Sequence, residues 1–353
     1  MIQTTDIASF TSRYFTSDLP DVTVTMRSGA VKVEMTVRYG NDGDIYFHET
    51  LWPVNNLVTL TELGMLLEPF ARQHLELPLT VTARQLDDND GQVYTQTVNP
   101  YVYFSLADVG VSAADFYASS FLTLLQGPKT TAIGRLEYLH YYGSGAASCT
   151  ATYTDGTTAS FTPQAVAGNS VYTTIDVSPY HFTASGKTLA SFVVSAGQRR
   201  QQFVIDFRNP DCAPILIFDN SFGVQELIYC TGTHKVDPSY ERKQTRIGRM
   251  LRNYLLRETR TFQASTGALS TAMANWADDL FRSQEVRVVN IVNGFASIGK
   301  EVVITDSKSE HSNDDDSLPS FTFSYQYAQR IHNVLQPERA GRIFDNTFDE
   351  TFN

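Results

Sequence analysis

The sequence predicts a mainly β protein with α+β elements: serial β-sandwich-like modules followed by a β-α-β-β-β module. Three observations carry this expectation. Between residues 31 and 38, Val31, Val33, Met35 and Val37 alternate with Lys32, Glu34, Thr36 and Arg38, the period-two signature of a strand with one wet face. Between residues 135 and 208, turn signals such as "YGSGA", "TDGT" and "AGQ" recur at roughly eight- to twelve-residue intervals, the rhythm of a sandwich. In "STGALSTAMANWADDLFRS" (265–283) the period changes, and Leu269, Met273, Trp276 and Leu280 follow one another at the spacing of one helical face.

Taken in order, the first module (1–114) reads as strands at "VTVTM" (22–26), 30–40 and 44–51. A short helix over about 60–73 follows, with Thr61 and Glu62 as start signals and Pro69 limiting its length. Strands resume at 77–86 and 92–98, joined by the turn-rich "DDNDG". The second module (115–238) is sandwich-like, with candidate strands at 135–142, 147–154, 158–166, 171–178, 189–196 and 201–208. The third (239–335) is α+β, its helix over about 268–282, with Ser265 and Thr266 as possible caps, lying among strands at 257–264, 285–292, 301–307 and 320–328. The polar "VDPSYERKQ" (236–244) marks the boundary before it, and residues 336–353 form a C-terminal arm.

A chain of 353 residues exceeds what one core organises, and 42% hydrophobic with 18% charged residues is the composition of a packed protein. The net charge of −11 argues against a protein that tracks phosphates, so no direct nucleic-acid partner is expected. No apolar run reaches the eighteen or so residues of a membrane span, and "MIQTTDIASFTSRYF" lacks a leader's basic and apolar regions. Folding in a cytoplasm without membrane insertion is the expectation. Cys149, Cys212 and Cys230 are odd in number and lack ligand spacing, which favours reduced thiols over a disulfide framework or a zinc site.

The chemistry of catalysis is not spelled out. Ser144 lies in "YGSGA" without the strand-to-helix elbow of a nucleophile, and the seven histidines are scattered without metal-ligand spacing. No glycine loop of nucleotide-binding type occurs. The expectation is a non-enzymatic protein with no catalytic, cofactor or metal residues and no cofactor. The acidic "SEHSNDDDS" (309–317) is the nearest approach to a calcium loop, but it lacks the alternating ligand register and reads as a solvated hairpin loop.

Two segments suggest contacts with partners. "YERKQTRIGRMLRNYLLRETR" (240–260) concentrates arginines in an acidic chain. Arg242, Arg246, Arg249 and Arg252 could share a helical face, or the segment could be a wet linker or a strand presenting arginines to carboxylates. The ending "RIFDNTFDETFN" (342–353) places Phe344, Phe348 and Phe352 on one side in a strand or a helix, with Asp345, Asp349 and Glu350 keeping it soluble. Phe344, Phe348, Phe352, Arg246, Arg249 and Arg252 are therefore the candidate assembly contacts, made in cis or in trans. A rival reading is a sandwich that binds carbohydrate or a cell-surface glycan, with Tyr101, Tyr103, Tyr141 and Tyr142 as a stacking platform.

The runs "ILIFDNSFGVQELIYCTGTHKVDPSYERKQ" (215–244) and "STGALSTAMANWADDLFRSQEVRVV" (265–289), with the ending "RIFDNTFDETFN", resemble proteins from phages and prophage-like elements of Bacteroides-type gut bacteria. The likeness covers about the last 140 residues and carries no catalytic motif. It implies a virion structural component of the tail or baseplate, assembled in the bacterial cytoplasm, with other copies of itself and other virion proteins as partners. For the acidic loop the expected outcome is tolerance: Asp314→Asn, Asp315→Asn and Asp316→Asn together leave the melting temperature nearly unchanged. A calcium-dependent rise in that temperature, lost in the triple variant, would contradict it.

Overall fold

The computed structural model describes residues 3–168, 172–208, 214–292, 295–309 and 318–328. The protein is mainly β, in several sheets, with three α-helices among the described residues. The chain divides into two compact units, one of residues 1–119 with 221–223 and the other of residues 120–220 with 224–353.

In the first unit the chain forms β1 (Thr4–Asp6), β2 (Arg13–Phe15), β3 (Asp21–Thr25), β4 (Lys32–Tyr39), β5 (Ile45–Leu51) and β6 (Leu57–Leu60), then α1 (Leu63–His74). β7 (Glu76–Leu86), β8 (Gln92–Val98), β9 (Tyr101–Tyr103) and α2 (Ala113–Ser119) complete it. One sheet runs β1-β3-β6 and the other β2-β9-β7-β4-β5, with β8 also on β7. The alternation seen in β4 buries Val33, Met35 and Val37 completely, against Leu77, Leu79 and Val81 of β7 and Leu67 and Ala71 of α1 in one core. Lys32, Glu34 and Thr36 stay partly wet. The glycine in α1 is there for closeness: a Cβ on Gly64 would lie 2.3 Å from the carbonyl oxygen of Thr16. α2, too short for its period to stand out, packs Phe116 on Phe222 (ring centroids 5.0 Å apart) and Phe15 (5.7 Å).

The second unit opens with a sandwich. β10 (Lys129–Thr131), β11 (Tyr138–Tyr142), β12 (Ser148–Tyr153), β13 (Thr158–Phe161), β14 (Gln164–Gly168), β15 (Tyr172–Asp176), β16 (Leu189–Ala196) and β17 (Arg199–Ile205) sort into two sheets, β10-β17-β16-β12-β13 and β11-β15-β14. Leu139, Tyr141 and Ile175 of the smaller sheet share one core with Cys149, Phe192 and Phe203 of the larger. Burial pushes the Cys149 thiol up to about 12, so this cysteine is an apolar filler.

β18 (Ile215–Asp219), β19 (Gln225–Tyr229), β20 (His234–Ile247), β21 (Met250–Ser265), α3 (Thr271–Arg282), β22 (Val286–Val292), β23 (Phe295–Lys308) and β24 (Thr322–Tyr327) follow. They build an antiparallel sheet in the order β19-β18-β22-β23-β24-β21-β20. α3 seats Met273, Trp276 and Leu280 on Leu216, Phe218, Phe262 and Tyr325 of that sheet. This moves one expected boundary: 238/239 falls inside β20, and the sheet already begins at Ile215. A strand with proline and charges at a sheet edge has the composition of a linker. The helix cap is also different, since Ser270 Oγ accepts the Met273 N–H at 3.3 Å, while Thr266 Oγ1 accepts the Phe321 N–H. The arm 336–353 lies outside the described residues.

Two substitutions weigh these contacts. Ser270→Ala should cost about 1 kcal/mol through the lost cap, and Trp276→Ala about 3–5 kcal/mol through the emptied core, both read from denaturant unfolding of the full chain. Equal costs for the two would contradict the central role given to Trp276.

Candidate functional site

β20 and β21 continue well past the sheet that anchors them. They pair from His234↔Ala264 to Ile247↔Met250, while β24 supports β21 only along Phe262–Ser265. The base is firm: His234 hydrogen-bonds Tyr325 Oη at 2.9 Å, and the Phe262 and Tyr325 rings stack at 5.0 Å. Beyond it, no other strand among the described residues pairs with Asp237–Ile247 or Met250–Thr261. The free stretch from Asp237 to Ile247 spans roughly 35 Å at strand rise. A two-residue turn of Gly248 and Arg249 closes it, Gly248 taking the φ of +65° that glycine adopts without strain.

This ribbon carries large apolar side chains into water. Ile247, Leu251 and Tyr254 are 60%, 65% and 62% exposed, and Tyr240, Met250 and Leu256 are exposed as well. Cations are interleaved with them. From His234 to Ser265 there are eight lysines and arginines against three acidic residues, in a chain whose net charge is −11. Arg257 meets Glu241 at 3.9 Å, Arg260 pairs with Glu258, and Arg242 lies 5.1 Å over the Tyr240 ring. Among the described residues Arg246, Arg249 and Arg252 make no ion pair.

The helical face once open to Arg242, Arg246, Arg249 and Arg252 is not formed. Register puts Arg246 opposite Leu251 and Arg252 opposite Thr245, so these two arginines point to opposite faces and Arg249 sits in the turn. Each face therefore mixes apolar and cationic groups. The signal for the hairpin was the Gly248-Arg249 pair between two runs of similar length; no apolar alternation accompanied it, because neither face enters a core. A register shift at Lys243/Gln244 leaves Tyr254 without a cross-strand partner. Phe344, Phe348 and Phe352 lie outside the described residues, as do Cys212 and positions 310–317 of the acidic loop. The tyrosine platform is not built: Tyr103 and Tyr141 are buried and only Tyr101 is well exposed.

Sequence reasoning missed a second concentration of polar chemistry, because its members are far apart in the chain. Lys129 Nζ donates to Glu137 Oε2 at 2.7 Å, both side chains almost wholly buried, and lies 4.8 Å from the Trp276 ring. Glu226 Oε2 accepts from Asn220 Nδ2 at 2.8 Å and from Trp276 Nε1 at 3.1 Å. Burial raises the Glu137 and Glu226 carboxyls above the usual range, and the Lys129 charge opposes that rise in both. His140 bridges β11 to β19: the Gln225 carbonyl can only accept, so Nε2 donates at 2.8 Å, and Nδ1 accepts from Thr174 Oγ1 at 2.8 Å. These contacts join β10, β11, β15, β19 and α3, which is the work of a clamp.

Burial holds His140 neutral, pushing it from 6.5 down to about 4. Above 6.5 the folded and unfolded chains are both neutral at this site. As the pH falls towards 4 the unfolded chain gains a proton that the folded one refuses, so stability is lost over that window. Relative to His140→Gln, the parent should lose about 3 kcal/mol of unfolding free energy between about pH 7 and pH 4; parallel pH profiles would contradict this.

No protein-family profile and no curated protein sequence matches the chain. Among solved structures it is similar to a chain of the virion of a native gene transfer agent particle, with 13% identity over 33% of this chain and 91% of that one, at a TM-score of 0.23. It is also similar to the tetra-tandem repeat in the extending region of a large adhesion protein, with 10% identity over 86% of this chain and 77% of that one, at a TM-score of 0.22. At such scores neither likeness carries an argument about fold or function.

Proposed function

We propose that the protein is a structural component of a phage or phage-like particle, in its tail or baseplate, and that it acts through protein–protein assembly rather than catalysis. The observation that carries the assembly reading is the ribbon of β20 and β21. A two-stranded ribbon is marginal in water on its own, and this one exposes six large apolar side chains along its free length. Each such side chain contributes about 1.5–3 kcal/mol once fully buried. Burial against a partner is the physical outlet for that surface, and the interleaved arginines select a partner of opposite charge. The particle itself is supported by the resemblance of residues 215–244, 265–289 and 342–353. On this reading the partners are virion proteins, and the protein resides in the virion.

The test is a shortened ribbon, in which residues 239–258 are replaced by Asn-Gly, examined in the particles of a host that makes them. The melting transitions of the purified variant should stay close to those of the parent, while its incorporation into particles is lost. Normal incorporation of the shortened protein would sink the proposal.

A further inference from the structure

We infer that the ribbon's partner is a second copy of this chain, docked head to tail, with the cationic ribbon of one copy lying along the acidic free edge of β5 in the next. The inference rests on the assembly reading and adds the partner, the receiving surface and the class of symmetry.

Ribbon-to-ribbon contact is disfavoured by the ribbon's own composition. β20 is the last strand of its sheet, and its outer edge bears Pro238, Arg242, Lys243 and Arg246. Proline and like charges are the devices that keep edge strands from pairing with copies of themselves. A twofold contact sets a surface against itself, so it would bring these cations together. The ribbon therefore needs a different surface, and one of opposite sign.

The rest of the chain has that sign. The protein holds 38 acidic and 27 basic residues, and the segment His234–Ser265 takes eight of the bases but only three of the acids. The remainder of a second copy thus carries a net charge opposite to the ribbon's.

Within that acidic remainder β5 offers a matching edge. It ends its sheet and pairs only with β4, leaving its other edge unpaired among the described residues. Ile45 at its start is 54% exposed, and Trp52 and Val54, just past its end, are 68% and 73% exposed, so apolar surface lies at both ends of the strand. Asp42 and Asp44, just before Ile45, and Glu49 within the strand are exposed as well. The edge thus repeats the ribbon's mixture of apolar and charged groups with the sign reversed. Strand addition between two free edges supplies backbone hydrogen bonds, and the charges fix which edges meet. Because the two surfaces differ, each copy gives one and receives one, and the contact propagates into a ring or a helical filament rather than stopping at a dimer.

Three full-length variants test this by sedimentation velocity: Arg242→Glu, Arg246→Glu and Arg252→Glu in the ribbon; Asp42→Lys, Asp44→Lys and Glu49→Lys at β5; and the six changes combined. The parent should form species larger than a dimer at about 50 mM salt, with association weakened about tenfold or more at about 500 mM. Each three-residue variant, with melting transitions matching the parent's, should be monomeric. Mixed, the two should regain the large species with the variants alternating, since the native ribbon of one meets the native β5 of the other and the reversed ribbon meets the reversed β5, and the combined variant should regain them alone. If the ribbon reversal alters the melting transitions, Arg242→Gln, Arg246→Gln and Arg252→Gln replaces it; that variant should be monomeric and, mixed with the β5 variant, should stop at one-to-one complexes, since only one contact is then complementary. A β5 variant that assembles as the parent does, or a mixture of the two three-residue variants that stays monomeric, overturns the inference. So does a parent that is monomeric at both salts; if that parent still enters particles through its ribbon, the assembly reading survives without self-docking.

Discussion

Burying the ammonium of Lys129 is the constraint around which the second unit is arranged. A cation taken out of water must meet an anion and further polar or aromatic groups, and here these come from distant parts of the chain. Glu137 supplies the anion from just before β11, Trp276 supplies a ring face from α3, and Glu226 from β19 is held by the same indole. Removing one partner of such a pair strands a buried charge at a cost of about 3–5 kcal/mol, more than a well-packed aliphatic contact returns. The sandwich, the seven-stranded sheet and the helix are consequently tied to one another through this one buried group. Trp276 is both the centre of the apolar core beneath α3 and a hydrogen-bond donor to this network, so packing and charge balance are settled at one residue.

How much of this was legible in the sequence depends on whether a residue's environment repeats along the chain. β4 and α3 were plain because burial of one face imposes a period on local residues, two for Val33, Met35 and Val37 and nearly four for Leu269, Met273, Trp276 and Leu280. The clamp was invisible because Lys129, Glu137, His140, Asn220 and Glu226 meet only through tertiary structure, and no motif spaces them. The ribbon was hidden for the opposite reason. With both faces in water, residues 237–261 have no burial period, and the proline and charges that protect an edge strand look like those of a linker. The arginines were recognised as a concentration, but their distribution over two faces and a turn follows from the hairpin register and could not be had from spacing alone.

The two concentrations of polar chemistry are opposites in character. The clamp is closed: its charged groups are buried against one another, and burial holds His140 neutral across the physiological range. The ribbon is open, with arginines lacking ion pairs among the described residues and with apolar side chains that water accommodates poorly. On the proposed assembly reading, ionic strength would tune association and leave the clamp nearly untouched, since screening reaches exposed charges and hardly touches buried ones.

The free length of the ribbon sets a distance. Inserting or removing one residue in each strand would turn every outward side chain to the other face, whereas a change of two in each preserves the pattern and moves the tip by about 7 Å. No core residue need change. The hairpin can thus act as an adjustable spacer, through which related chains would alter the rise between successive subunits in steps of two residues per strand while the folded units that carry it stay the same.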